Sequence, residues 1–176
     1  MIHRTLVSLF LAAGLFPFSV ATTLALGPGP SVSVHQWEFD QDGDTEGWGD
    51  LRDALATPQV RGGTLQTEIT GSDPWMALIP PQVISAKSCY RAVIKYRISS
   101  PDNTAQIMWQ TRQNPSFGQA GQWKDFHIVA DGTWQVATVD LSRFPSWSGE
   151  VLGLRLDPAK NAIQGSVEID YVRLEG

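Results

Sequence analysis

The segment DQDGDTEGWGDLRD, from Asp40 to Asp53, concentrates acidic side chains that could hold a cation. Counted from Asp42, carboxylates fall at positions 1, 3, 5, 9 and 12 (Asp42, Asp44, Glu46, Asp50, Asp53), with Gly47 at position 6. That spacing is close to the calcium loop of a helix–loop–helix site. Such a loop needs a helix on each side. The segment entering it, SVSVHQWEF, alternates and is rich in β-branched residues, so it reads as a strand. Position 8 is Gly49 rather than the residue that would pair with a sister loop, and the chain has no second such loop. The expected structure is therefore an acidic turn between strands.

Other catalytic chemistry is scarce. No G-x-S-x-G elbow or H-E-x-x-H helix is present. After Arg4 and its neighbours, only His35 and His127 remain as histidines, too few for a His-rich metal site. Paired carboxylates can hydrolyse a glycoside, but no spacing here singles out a pair. Cys89 is the only cysteine, so it forms no internal disulfide, and its place beside an apolar-alternating stretch marks a buried structural thiol.

The elements that must position any site are strands. SVSVHQWEF, GGTLQTEIT, WMALI, CYRAVIKYRIS, AQIMWQT, KDFHIV, WQVATVD, LGLRLD and VEIDYVRL follow one another between Pro, Gly, Asn and Asp clusters. In CYRAVIKYRIS, Tyr90, Ala92, Ile94, Tyr96 and Ile98 are expected on a packed face, with Arg91, Lys95 and Arg97 on a wet one. No window shows a 3.6-residue period of helical length; LRDALA is the nearest. The expected fold is all-β, an antiparallel β-sandwich or jelly roll of about eight to nine strands.

The first residues, MIHRTLVSLFLAAGLFPFSVATTLA, have a short basic start, an apolar run and small-x-small patterns ending at Ala21 and Ala25. Residues 1–25 are read as a secretory signal, 26–34 as a flexible lead-in and 35–176 as one domain, exported outside the cytoplasm. Membrane insertion after cleavage is not expected. The remaining 150 or so residues suffice for one core. The 18 Asp and Glu against 13 Lys and Arg, one of them Arg4, leave an acidic excess with no basic cluster, which argues against a nucleic-acid partner.

Taken in order, WEFDQDGDTEGWG, GGTLQTEITGSDPWM, AQIMWQT, DGTWQVATVDLS, WSGEVLGLRLDP and VEIDYVRLE resemble galactose-binding-like jelly-roll domains of the carbohydrate-binding-module type. The resemblance covers Trp37 to Glu175. It implies two antiparallel sheets and a non-catalytic role. It also implies a structural calcium where the first and last strands meet, with Glu38, Asp40 and Asp170 as ligands. Calcium accepts several oxygens in irregular geometry, so this is chemically reasonable. The alternative is that Asp40 and Asp42 cap turn N–H groups.

Sugar recognition needs aromatic faces and planar polar groups. Trp37, Trp134 and Trp147 fall in packing motifs and are expected in the core, and Trp48 at the sandwich end. Alternation places Ala105, Ile107 and Trp109 inward and Gln106, Met108 and Gln110 outward. Leu152, Leu154 and Leu156 read as inward, with Gly153, Arg155 and Asp157 outward. Phe126 and Ile128 read as core, which turns Trp123, Asp125 and His127 out. The expected saccharide site is Trp75, Gln106, Gln110, Trp123 and Arg155. The tryptophans would stack on a ring, while the amides and guanidinium bond hydroxyls or a uronate carboxylate. Each could instead be a packed aromatic or a cross-strand polar pair. The expected ligand is a polysaccharide or oligosaccharide. The alternatives are an extracellular adhesion domain that binds protein, and a small polysaccharide-active enzyme.

Overall fold

The computed structural model describes residues 33–50, 54–78 and 82–176. The signal-like segment 1–25, nearly all of the lead-in, and Asp53 lie outside these. Among the described residues there are strands and no helix. The strands are β1 (Ser33–Trp37), β2 (Trp48–Asp50), β3 (Gln59–Arg61), β4 (Thr64–Ile69), β5 (Met76–Leu78), β6 (Ile84–Ser85), β7 (Arg91–Ser99), β8 (Thr104–Thr111), β9 (Trp123–His127), β10 (Asp131–Asp140), β11 (Glu150–Asp157) and β12 (Gly165–Glu175).

They form two sheets, and every pairing is antiparallel. Sheet A has the order β10-β7-β12-β4-β3, with β1 also on β12. Sheet B has the order β2-β5-β11-β8-β9, with β6 also on β11. The expected all-β sandwich is what forms. Its strand number exceeds the expected eight to nine because β2, β3, β5 and β6 are two or three residues long.

Period-two alternation builds the core. Ala92, Ile94, Tyr96 and Ile98 of β7 are buried, as are Ala105, Ile107 and Trp109 of β8, and all join one apolar cluster. Trp109 meets Phe144 and Trp147 edge-on, at centroid distances of 5.4 and 5.5 Å. Trp37 and Trp48 meet edge-on at 5.7 Å. Gly62 and Gly63, both at positive φ, make the two-residue turn between β3 and β4. Cys89 is fully buried, its thiol pushed up to about 11 by desolvation. Trp147 Nε1 donates to the Cys89 carbonyl at 2.7 Å.

Three expectations about side-chain direction are corrected. Tyr90 is exposed, because β7 begins one residue later at Arg91. Trp134 faces solvent, because Val139 and Ala137 are the side of β10 that packs on the core. Leu152 is only half-buried. The register of β11 against β8 shifts between Val151 and Gly153, so Leu152 is the extra residue of a bulge.

The acidic turn runs from β1 into β2, with a strand on each side. Three of its carboxylates, those of Asp42, Asp44 and Glu46, accept from backbone N–H groups. Glu46 Oε1 accepts the N–H groups of Glu38 and Phe39 at 3.1 and 2.5 Å. Asp42 Oδ1 accepts from Gly62 N–H at 2.7 Å, and Asp44 Oδ1 from Glu46 N–H at 2.8 Å. Phe39 and Glu46 hold φ of 55° and 51°, a backbone shape these hydrogen bonds help to sustain.

Candidate functional site

Four of the five expected saccharide-site residues, Gln106, Gln110, Trp123 and Arg155, lie on strands of sheet B, and Trp75 immediately precedes β5. Cross-strand register sets Trp123 opposite Met108, Met108 opposite Arg155, Arg155 opposite Ala77, and Ala77 opposite Gly49. A neighbouring row runs from Asp125 through Gln106 to Asp157. Gln110 lies opposite Gly153. Sequence alternation put these residues on one side of each strand, and the pairing brings those sides together.

The five are not equivalent. Trp75 is 7 % exposed and supports Arg155, whose guanidinium carbon lies 4.6 Å from its ring centroid. It therefore offers no free stacking face, which corrects its expected role. Arg155 is gripped by Asp157, with Nε and Nη2 donating to the two carboxylate oxygens at 2.6 and 2.7 Å. Arg155 Nη2 also donates to Asp73 Oδ1 at 2.9 Å. Desolvation tends to lower the guanidinium pKa, and the Asp157 and Asp73 carboxylates outweigh it. Burial pushes the Asp157 carboxyl above the usual range, restrained by Arg155.

Gln106 is buried and donates through Nε2 to Asp125 Oδ1. Lys160 Nζ donates to Asp125 Oδ2 at 2.7 Å. Burial would raise the Asp125 carboxyl, but the bonds from Lys160 and Gln106 hold it below the usual range. Gln106 and Arg155 thus each belong to a fixed polar cluster, the first with Asp125 and Lys160, the second with Asp157 and Asp73. Trp123 and Gln110 remain available. Trp123 is 37 % exposed on edge strand β9. The Gln110 amide makes no hydrogen bond among the described residues, and it lies over Gly153, where an added Cβ would meet Nε2 at 2.5 Å.

Strand alternation turns Asp125, Asp157 and Gly153 outward without marking them as site residues. Nor does it mark Asp73 or Met108. The two-residue spacing of Arg155 and Asp157, which puts opposite charges side by side on one strand face, was the available signal.

The expected calcium residues are engaged otherwise. Arg173 Nε and Nη2 donate to the Glu38 carboxylate at 2.6 and 2.7 Å. Asp170 pairs with Lys95, and Asp40 is exposed. Among the described residues no group of three or more His, Cys, Asp or Glu side chains is arranged to hold a metal ion. Glu38, Asp40 and Asp170 do not form a fitting donor set.

No protein-family model matches the chain, and no curated protein matches it. Solved structures do. The chain is similar to a mutant of a carbohydrate-binding module of family 29, with a TM-score of 0.55 and 8 % identity over 77 % of this chain and 86 % of that one. It is also similar to the xylan-binding module CBM15, with a TM-score of 0.54 and 10 % identity over 83 % of this chain and 97 % of that one. These likenesses show the fold alone: a β-sandwich of the kind these two modules share.

Proposed function

We propose that the chain is a secreted, non-catalytic module that binds a neutral polysaccharide or oligosaccharide on the outer face of sheet B. The observation that carries this reading is Trp123, an exposed indole opposite Met108 on the same face as a free amide, Gln110, a face stiffened by ion pairs. An exposed tryptophan supplies a flat apolar surface for a sugar ring, and preorganised neighbours reduce the entropy lost on binding. The similarity in fold to modules described as carbohydrate-binding and xylan-binding supports the same class of ligand.

Charge gives no preference for uronates. The two clusters hold Asp73, Asp125 and Asp157 against Arg155 and Lys160, and both cations are already paired. Among the described residues, a carboxylated sugar would find one unpaired cation nearby, Lys124, whose charge already acts on Asp125, and no net positive charge to attract it.

Affinity electrophoresis against neutral xylans, glucans and mannans and against uronate polymers tests this reading. We expect retardation by at least one neutral polymer and none by the uronates. Trp123→Ala is expected to weaken binding by about 2 kcal/mol, roughly 30-fold. Retardation by uronate polymers alone would refute the neutral ligand, and no retardation at all would refute saccharide binding.

A further inference from the structure

The outer face of sheet A carries a second transverse row. Trp134 of β10 lies opposite Arg97 of β7, Arg97 opposite Glu168 of β12, Glu168 opposite Gln66 of β4, and Gln66 opposite Gln59 of β3. Five strands at the usual interstrand spacing make a row about 19 Å long. At one end Trp134 is 37 % exposed, with Lys95 and Arg97 standing 5.5 and 5.0 Å from its ring centroid. Val136, on the same side of β10, is also exposed. An exposed Trp–Val pair on an edge strand contributes nothing to the core and calls for another explanation.

The other end of the row opens into a groove of about 230 Å³ lined by Gln59, Arg61, Gln66, Glu68, Ser166 and Glu168. Its hydrogen-bonding groups differ from those on the rest of the face. Along the rest of the face, and at Glu168 on the groove's edge, charges are taken in pairs: Arg91 with Glu175, Lys95 with Asp170, Arg97 with Glu168, and Arg173 with Glu38. In the groove, among the described residues, the side chains of Gln59, Arg61 and Glu68 have no partner. Gln66 uses only its Nε2, donating to the Arg61 carbonyl and to Thr64, which leaves its amide oxygen free. Midway along the row, Arg97 Nε is buried without a partner.

We propose that this face is a second saccharide site, on the opposite side of the sandwich from the first, and that it also takes a neutral glycan. Trp134 is the stacking platform. Gln59, Gln66, Arg61 and Glu68 supply donors and acceptors for hydroxyl groups. The charges argue for a neutral occupant: the four ion pairs cancel, and the remaining Arg61 and Glu68 are one cation and one anion. A polyanion or polycation would meet as much repulsion as attraction, whereas a polyol can use donors and acceptors alike. Two sites facing opposite ways would let one copy bridge two glycan chains, which raises retention on a polymer far above that for a short oligosaccharide.

The proposal rests on the reading of the chain as a glycan binder, and titration calorimetry separates the two. Xylohexaose and cellohexaose are titrated into the wild type, into Trp123→Ala, and into the double variant Trp134→Ala/Gln59→Ala. All the substituted residues are exposed, and thermal melts confirm that the variants fold. The expected result is two bound hexaoses per wild-type chain and one for either variant. A wild-type stoichiometry of one, unchanged in the double variant, overturns the second site and leaves the sheet B reading standing. A stoichiometry of one that is lost only in the double variant supports this site and overturns the sheet B reading. No binding of either hexaose, together with no retardation by any polymer, overturns both.

Discussion

Arg155 shows how a single side chain can stabilise a face and bias its specificity. It bridges Asp157, almost fully buried, and Asp73, which is largely exposed, and it covers Trp75. Removing it leaves a buried carboxylate without its counter-charge, so Arg155→Met is expected to cost about 3 kcal/mol at neutral pH. The pH dependence has a definite sign. The Asp157 carboxyl is raised in the folded protein, so its contribution to stability is full below its unfolded pKa and is lost as pH rises through the folded value. Without Arg155 the folded value rises further. The deficit of Arg155→Met, measured by urea unfolding, should therefore shrink between pH 7 and pH 4. A deficit that stayed constant or grew would show that Asp157 is not the group left uncompensated. The outward direction of Arg155 was legible in the sequence, but its engagement was not. Asp73 lies 82 positions away, and no local pattern announces that contact.

At the scale of elements, register does what alternation cannot. Alternation told which residues of β8, β9 and β11 share a side, and the pairing of those strands made the face. The bulge at Leu152 restores the alternation that places Gly153 beneath Gln110. A side chain at 153 would displace the flexible end of Gln110 rather than any backbone. Gly153→Ala is thus expected to leave the melting temperature within a few degrees of wild type while weakening neutral-glycan binding several-fold. Unchanged affinity would remove Gln110 from the site. The junction of β1 and β12 gives a second test. Arg173 and Lys95 already neutralise Glu38 and Asp170, so calcium is expected to leave the thermal melt unchanged. A rise in melting temperature with calcium, abolished in Asp170→Ala, would mean that these pairs open around an ion. The apparent calcium-loop spacing of the acidic turn has another origin: Asp42, Asp44 and Glu46 are spaced to accept backbone N–H groups.

For the whole molecule, the sandwich was legible because long strands such as β7 alternate cleanly between apolar and charged residues. The shortest strands were not, since two or three residues carry no readable period. β10 was ambiguous for a different reason. Trp134 and Val136 stand on one side, Ala137 and Val139 on the other, and both sides are apolar enough to pack. Only the assembled sheets decide which side meets the core, and the side they leave outside gives the molecule a second tryptophan-bearing face. The outer face of sheet B is proposed to bind a neutral glycan. Amide chemical-shift mapping with xylohexaose and cellohexaose tests it most directly. The predicted result is a set of shifts that includes β8, β9 and β11 around Met108, Gln110, Trp123 and Gly153. Saturable shifts that leave those strands untouched, or no shifts with either hexaose, would contradict it.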